Sequence, residues 1–344
     1  MSRAHLIYGI VALALAGLWA WFVAVRGRKQ PAPTKSASGK SKPTAEPSPV
    51  VKADGAKTEP VKAAALKDVA KPEPPVIDQR NSTPEDLSGP IKRILVHAVG
   101  STDPGMHRDH NEDAYTILED AHLFVVADGM GRHAAGEIAS QICIDTVRET
   151  FRTDDIGPPI DPPLPRRGAK IRHAILQANT RILQTAQEND KYAGMGTTVV
   201  SAVFSPYSQR AFIAHVGDSR CYRLRGNEIT QLTADHTLGA AGFKGKRAVL
   251  LSRAVGVEEH VDVDVGVESP QPDDVYLLCS DGLTRMVDDA LILATVTENR
   301  HDLEAAVAQL IALANERGGR DNITAILVRV DDAPIAVASD PDAA

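Results

Sequence analysis

The chain is poor in cysteine, with 3 in 344 residues: Cys143, Cys221 and Cys279. They are far apart, odd in number and lack zinc-ligand spacing, which argues against a disulfide framework and a zinc module. All three sit in apolar runs and read as buried free thiols, in keeping with a reducing compartment. An excess of positive charge is also missing. The formal net charge is −7, which argues against a dedicated nucleic-acid binder. There is no internal repeat. Residues 30–90 contain no Phe, Tyr or Trp, yet hold 11 of the 22 prolines. Such a stretch cannot bury enough apolar surface to offset its ordering entropy. It reads as a flexible, proline-extended tether. A docking or regulatory segment with phosphorylatable Ser and Thr is the alternative.

Long hydrophobic runs are equally scarce, with one exception. Residues 6–25, LIYGIVALALAGLWAWFVAV, carry no charge, and that length spans a bilayer as a helix. Trp19, Trp21 and Phe22 lie near its far end, where aromatic rings favour the interface. A secretory signal peptide should carry its charges ahead of the apolar run. Here only Arg3 precedes it, whereas Arg26, Arg28 and Lys29 follow. The positive-inside rule then keeps the bulk of the chain in the cytoplasm. The expectation is a single-pass membrane anchor over residues 1–29, a linker over 30–90, a folded domain over 91–332 and a frayed tail over 333–344.

From about Ile91 short apolar runs alternate with turn residues. RILVHAV, AYTIL, LFVVAD, TTVVSAVF, RAFIAHVGDSRCYRL, VYLLCSD and NITAILVRV read as strands. Three stretches repeat apolar residues at helical spacing. These are Ala139, Ile142, Cys143 and Val147; Ile171, Ile175, Ala178 and Ile182; and Leu303, Val307, Leu310 and Ala314, the last after a candidate N-cap at Asp302. Many strands with a few long helices predict an α+β domain rather than strict βαβ alternation.

Carboxylates recur where the apolar runs end. LFVVADGMG, AFIAHVGDSR and VYLLCSDGL place Asp128, Asp218 and Asp281 after strands. GRDNITAILV places Asp321 ahead of one, and RDHNEDAY places Glu112 and Asp113 ahead of another. One Asp-Gly turn means little, because the dipeptide is common in turns. The same device at four strand ends is harder to dismiss. Hard divalent ions such as Mg²⁺ and Mn²⁺ take several oxygen ligands, mostly carboxylate and water.

In order, RDHNEDAY, VVADGMGRHAAGEIAS, GMGTTVV, HVGDSRCY, LTADHT, LSRAVG, LLCSDGLT and GRDNIT resemble the metal-dependent serine/threonine phosphatases of the type 2C family in their bacterial form. The resemblance runs from about residue 94 to 331 and covers none of the anchor or tether. It implies a four-layer αββα sandwich, two antiparallel sheets flanked by helices, with metals at one end between the sheets. It further implies two Mn²⁺ or Mg²⁺ ions bridged by Asp128 with help from the Gly129 carbonyl. Asp281 and Asp321 complete one shell, Glu112 or Asp113 serves the cluster directly or through water, and Asp218 matches a third, weaker metal position. Arg108 grips the substrate phosphate, as a guanidinium fork does well. A hydroxide shared by the metals attacks phosphorus in line, so no cysteine takes part.

Duller roles compete at several positions. Arg108 could pair with a nearby acid, and Asp218 could cap a turn. GMGTT at 194–198 reads as a turn supporting the site, and Asp109 and His110 as solvated loop. His133 is a candidate general acid, with a structural hydrogen bond near the start of its helix as an equal alternative. Arg132 stands where the bacterial family usually has glycine. Residues 235–251 look shorter than the family's flap, which predicts a more open cleft. There Lys244, Lys246 and Arg247 either meet acidic or phosphorylated partners or lie on a plain surface turn. The implied partners are phosphorylated proteins, serine/threonine kinases or their substrates. A catalytically silent scaffold that binds phosphoproteins is the competing function. Loss of a metal acid would favour it, and Asp128, Asp281 and Asp321 are all present.

Overall fold

The computed structural model describes residues 93–131, 135–159 and 163–333. The anchor, the tether, residues 334–344 of the tail, Arg132 and His133 lie outside the described residues. Strands are β1 (Ile94–Asp103), β2 (Asp113–Leu118), β3 (Leu123–Met130), β4 (Gly196–Thr197), β5 (Val199–Ser205), β6 (Arg210–Val216), β7 (Arg220–Arg225), β8 (Glu228–Gln231), β9 (Asp264–Glu268), β10 (Val275–Cys279) and β11 (Ile323–Asp332). Helices are α1 (Ala135–Phe151), α2 (Arg166–Glu188), α3 (Asp281–Thr284), α4 (Asp289–Glu298) and α5 (Leu303–Glu316).

One sheet has the order β1-β11-β10-β7-β8 and the other β2-β3-β5-β6-β9, with β4 paired to β3. The ladders are antiparallel throughout. Phe124, Val126, Val200, Ala202, Phe204, Tyr276, Leu278, Ile326 and Val328 fill the space between the sheets. Phe204 sits edge-on between Phe124 and Tyr276, at centroid distances of 5.8 and 5.2 Å. Each such pair adds about 0.5–1.5 kcal/mol beyond area burial. The intervening residues, such as Leu123, Val125 and Ala127, face out onto α1 and α2. Leu277, Cys279, Ala325 and Leu327 do the same toward α4 and α5. Because both faces are covered, the central strands read as unbroken apolar runs rather than alternating ones. The three cysteines are free and buried in these layers.

The architecture is thus helices, sheet, sheet, helices, as expected. Asp302 caps α5, its carboxylate accepting from the Ala305 N–H at 2.9 Å. The structure differs from the sequence reading at RAFIAHVGDSRCYRL. This is not one strand: Gly217 turns it at φ +108°, and β6 and β7 belong to opposite sheets. Asp218 therefore sits on the link between the sheets. Among the described residues no helix is long and apolar enough to cross a membrane.

Candidate active site

The acids arrive from the ends of several strands, Glu112 and Asp113 together at the start of β2, and the sandwich brings those ends together. In the second sheet, Asp113 at the start of β2 lies directly across from Asp128 near the end of β3. In the first sheet, Asp281 follows β10 and Asp321 precedes β11, two neighbours in the ladder. Arg108, Glu112, Asp128, Gly129, Asp218, Asp281 and Asp321 line one cavity of about 270 Å³. Asp113 lies just behind them. Its Oδ2 accepts hydrogen bonds from Ser280 Oγ at 2.7 Å and Thr324 Oγ1 at 2.6 Å.

The positioning network uses residues that carry no chemistry of their own. Asn322 accepts the Glu112 N–H at 2.8 Å and donates to the Pro104 and His110 carbonyls, so one amide pins the whole 104–112 loop. Asp109 and His110 are otherwise exposed. Asp128 is held by its backbone: its N–H donates to Thr198 Oγ1, and its carbonyl accepts from the Thr197 hydroxyl and the Thr198 N–H. The 194–198 segment therefore supports the site, as its sequence suggested.

Two glycines let the elements meet. A Cβ on Gly129 would collide with the Gly136 carbonyl, and one on Gly136 would lie 2.6 Å from Glu112 Oε1. Gly136→Ala should therefore push Glu112 out of place. Overpacking costs about 1–3 kcal/mol, so the variant should melt lower than the parent and lose much of its turnover. An alanine variant with unchanged melting and activity would show that the contact has slack.

The acids repel one another. Burial, then the charges of Asp113, Asp281, Asp321 and Asp218, push Asp128 well above the ordinary carboxylate range. Burial raises Asp113 to about 6 and Asp281 to about 7. It also raises Asp218 and Glu112. Buried oxygens of three acids, Glu112 Oε1, Asp113 Oδ1 and Asp281 Oδ1, have no hydrogen-bond partner among the described residues. Unpartnered carboxylate oxygens on mutually repelling acids fit hard divalent cations.

Two cations reach into the cluster. Arg108 Nη2 lies 2.9 Å from both oxygens of Asp321, and Nη1 lies 4.0 Å from Glu112. In this structure Arg108 thus rests on an acid. The second, Arg285, was not singled out from the sequence. Its guanidinium contacts Asp281 and lies 3.6 Å from Asp218 and 3.9 Å from Asp321. Its place four residues after Asp281 was the available signal. The flap segment folds back on itself through Leu238 N–H to Leu250 O and Ser252 N–H to His236 O, both 2.8 Å. It presents Val249 and Leu251 to the cavity, while Lys244, Lys246 and Arg247 are exposed.

Two other places look site-like and are explained without a ligand. His215, His236 and Asp264 bring donor atoms within 4.8 Å of one another. Yet the Gly217 N–H donates to His236 Nδ1, and His236 Nε2 meets Asp264 Oδ2. Arg253 occupies the other Asp264 oxygen, and His215 Nε2 reaches the Ala234 carbonyl. Burial lowers both imidazole pKa values, which keeps His236 neutral and able to accept. The group clamps Gly217, the residue before Asp218. A larger hollow of about 1000 Å³ at the far end of the β5–β6 hairpin is lined by Arg166, Arg167, Lys170 and Arg210. It has no comparable array of acids. Asp154 and main-chain carbonyls engage Arg166, Arg167 and Lys170.

Residues 107–328 match the family model described as Protein phosphatase 2C. The chain belongs to this family. Among curated type 2C relatives, the serine/threonine phosphatase stp of Listeria welshimeri is 35% identical over 254 residues, covering 68% of this chain and 95% of that protein. The serine/threonine protein phosphatase PstP of Mycobacterium tuberculosis is 33% identical, covering 70% of this chain and 46% of that protein. A solved structure titled as PppA, a key regulatory component of T6SS in Pseudomonas aeruginosa, superposes with a TM-score of 0.61 at 34% identity, over 69% of this chain and 98% of that one. The catalytic domain of a PstP solved with 2 manganese ions superposes with a TM-score of 0.60 at 32% identity, over 70% and 100%. By class, the type 2C chain is a protein serine/threonine phosphatase.

Proposed function

We propose that the chain hydrolyses phosphoserine and phosphothreonine on proteins in a metal-dependent reaction, at the cytoplasmic face of a membrane. The observation that carries the reading is the convergence of carboxylates from both sheets on one cavity, with buried oxygens left unpartnered. The 2 manganese ions of the PstP relative support the same donor set here. Asp128 and the Gly129 carbonyl would hold both ions, and Asp281 and Asp321 would complete one shell. Glu112 and Asp113 would serve the cluster directly or through water, and Asp218 would offer a third, weaker position. Two bound divalent ions supply a water of lowered pKa and neutralise charge on phosphorus.

The chain's own residues do the rest. Asn322, Ser280, Thr324 and Thr198 fix the acids so that little reorganisation accompanies the reaction. Arg108 stands at the cavity rim, 46% exposed, free to exchange Asp321 for the substrate phosphate. His133, outside the described residues, keeps its place as the candidate general acid. Helix α1, which begins two positions later in the chain at Ala135, starts beside Gly129, since Gly129 and Gly136 are in contact. Localisation rests on the uncharged residues 6–25 and the basic residues after them. Partners are phosphorylated proteins, among them serine/threonine kinases or their substrates. A tether of about sixty residues would raise the local concentration of membrane-bound ones.

The test is phosphate release from phosphothreonine peptides by the full chain, with Mn²⁺ and with chelator. Turnover should require Mn²⁺. Absence of turnover across several phosphopeptides, in folded and Mn²⁺-loaded protein, would overturn the reading. Arg108→Ala should lower kcat/KM about tenfold to a hundredfold, the scale of a lost charge-assisted phosphate contact. Mn²⁺ binding measured by calorimetry should persist in that variant. An unchanged kcat/KM would leave Arg108 as a surface ion pair. Membrane attachment is checked by fractionating cells that express the chain with and without residues 6–25; equal recovery in the soluble fraction would remove the anchor.

A further inference from the structure

Arg285 has no part in the reaction as described, yet it is in the middle of the acids. Helix α3 is a single turn, Asp281–Thr284. The Arg285 N–H donates to the Asp281 carbonyl at 2.9 Å, which sets the arginine one turn beyond Asp281 on the same side. Its guanidinium touches Asp281 and lies 3.6 Å from Asp218 and 3.9 Å from Asp321. Those three acids belong to two different loops and one helix start, so a single cation draws three separate elements together. The side chain is 45% exposed and lines the cavity mouth, so its stem can swing outward without disturbing the core.

We propose that Arg285 is a built-in counter-cation that competes with metal ions for the Asp281, Asp218 and Asp321 side of the cluster. In the metal-free protein it offsets the repulsion among acids that would otherwise strain the fold. When cations arrive they compete with it, because a second positive charge at the same three carboxylates is repelled by the guanidinium. The residue thereby sets how much metal the protein needs before the site fills. A merely structural arginine would behave differently: removing it would let the acids drift and would weaken metal binding. A competitor predicts the reverse, tighter binding together with a less stable metal-free fold.

The inference rests on the cluster being a metal centre, and the test separates the two. The full chain, kept in mild detergent and stripped of metal, is titrated with Mn²⁺ by calorimetry and melted in chelator. The parent is compared with Arg285→Gln and Arg285→Lys. Arg285→Gln should bind Mn²⁺ roughly tenfold more tightly, the combined scale of several partly screened ion pairs, and should melt lower in chelator. Arg285→Lys keeps the charge and should stay within about threefold of the parent, since the competition is between positive charges for the same acids. Equal or weaker Mn²⁺ binding by Arg285→Gln overturns the competitor role and leaves the metal centre standing. No Mn²⁺ binding by any of the three proteins overturns the metal centre itself, and the competitor with it.

Discussion

Asp128→Asn should abolish turnover, by about a thousandfold or more, while leaving the fold intact. The expected loss follows from the position. Asp128 sits directly across from Asp113, on the cavity lined by Asp218, Asp281 and Asp321, so a cation shared between the sheets has no substitute for it. Losing several kcal/mol of charge stabilisation at a metal site corresponds to a factor of that order. The intact fold follows from how the residue is held. Thr197 and Thr198 bind its backbone, not its carboxylate, and asparagine keeps the shape. The carboxylate is a source of repulsion, raised well above its ordinary range by burial and four neighbouring acids. Neutralising it should let the metal-free protein melt at the same temperature or higher. Phosphopeptide turnover with Mn²⁺ and a melt in chelator check both halves. Near-parental turnover would remove Asp128 from the reaction, and a sharply lower melt would show that the carboxylate has a structural partner not seen here.

The acids themselves are legible in the sequence because Asp128, Asp218 and Asp281 follow apolar runs beside glycine and Glu112, Asp113 and Asp321 stand just ahead of such runs, a pattern that survives without any knowledge of pairing. Their convergence is implied by the family resemblance and not by the residue pattern alone. It depends on β6 and β7 parting at Gly217 into opposite sheets, and a stretch such as RAFIAHVGDSRCYRL carries no local mark of which sheet receives which half. Strands β8 and β9 also escaped the reading. EITQ and DVGVE are short edge segments with exposed residues, Val267 among them, so they lack the apolar run by which the central strands were found. Helix α4, DALILATVTE, is apolar on more than one side, which blurs the 3.6-residue period. The supporting residues were invisible for a different reason. Ser280, Thr324 and Asn322 act through hydrogen bonds to residues more than 160 positions away, and nothing in their neighbourhood announces that. Arg285 is a local partner of Asp281, but its reach to Asp218 and Asp321 exists only in the folded site.

Mn²⁺ should raise the melting temperature of the full chain, and the rise should grow with pH between about 5 and 7.5. Consider first the metal-free protein. Asp113 and Asp281 are raised by burial to about 6 and about 7, against about 3.9 for an unfolded aspartate. Between these limits the folded protein holds more protons than the unfolded one. Stability then falls as pH rises. These acids stop costing stability only below about pH 4, where both states are protonated, and the loss is complete once pH passes the folded values. Bound metal expels the same protons, so the loaded protein escapes this fall. At pH 7.5 and free Mn²⁺ a hundredfold above Kd, one site adds about 2.7 kcal/mol, which for a domain of this size is roughly 5–10 °C. At pH 5 protons compete for the same oxygens, and the shift at equal Mn²⁺ should shrink to a small fraction of that. His215 and His236 work in the opposite sense: burial lowers both, so they cost stability as pH falls below about 6.5. They are present in both forms, so they largely cancel in the difference between the loaded and metal-free melts, and that difference is the quantity to plot. A difference independent of pH would mean that these carboxylates are already ionised in the metal-free fold, held so by Arg108 and Arg285, and that cation competition rather than proton competition governs how the site fills.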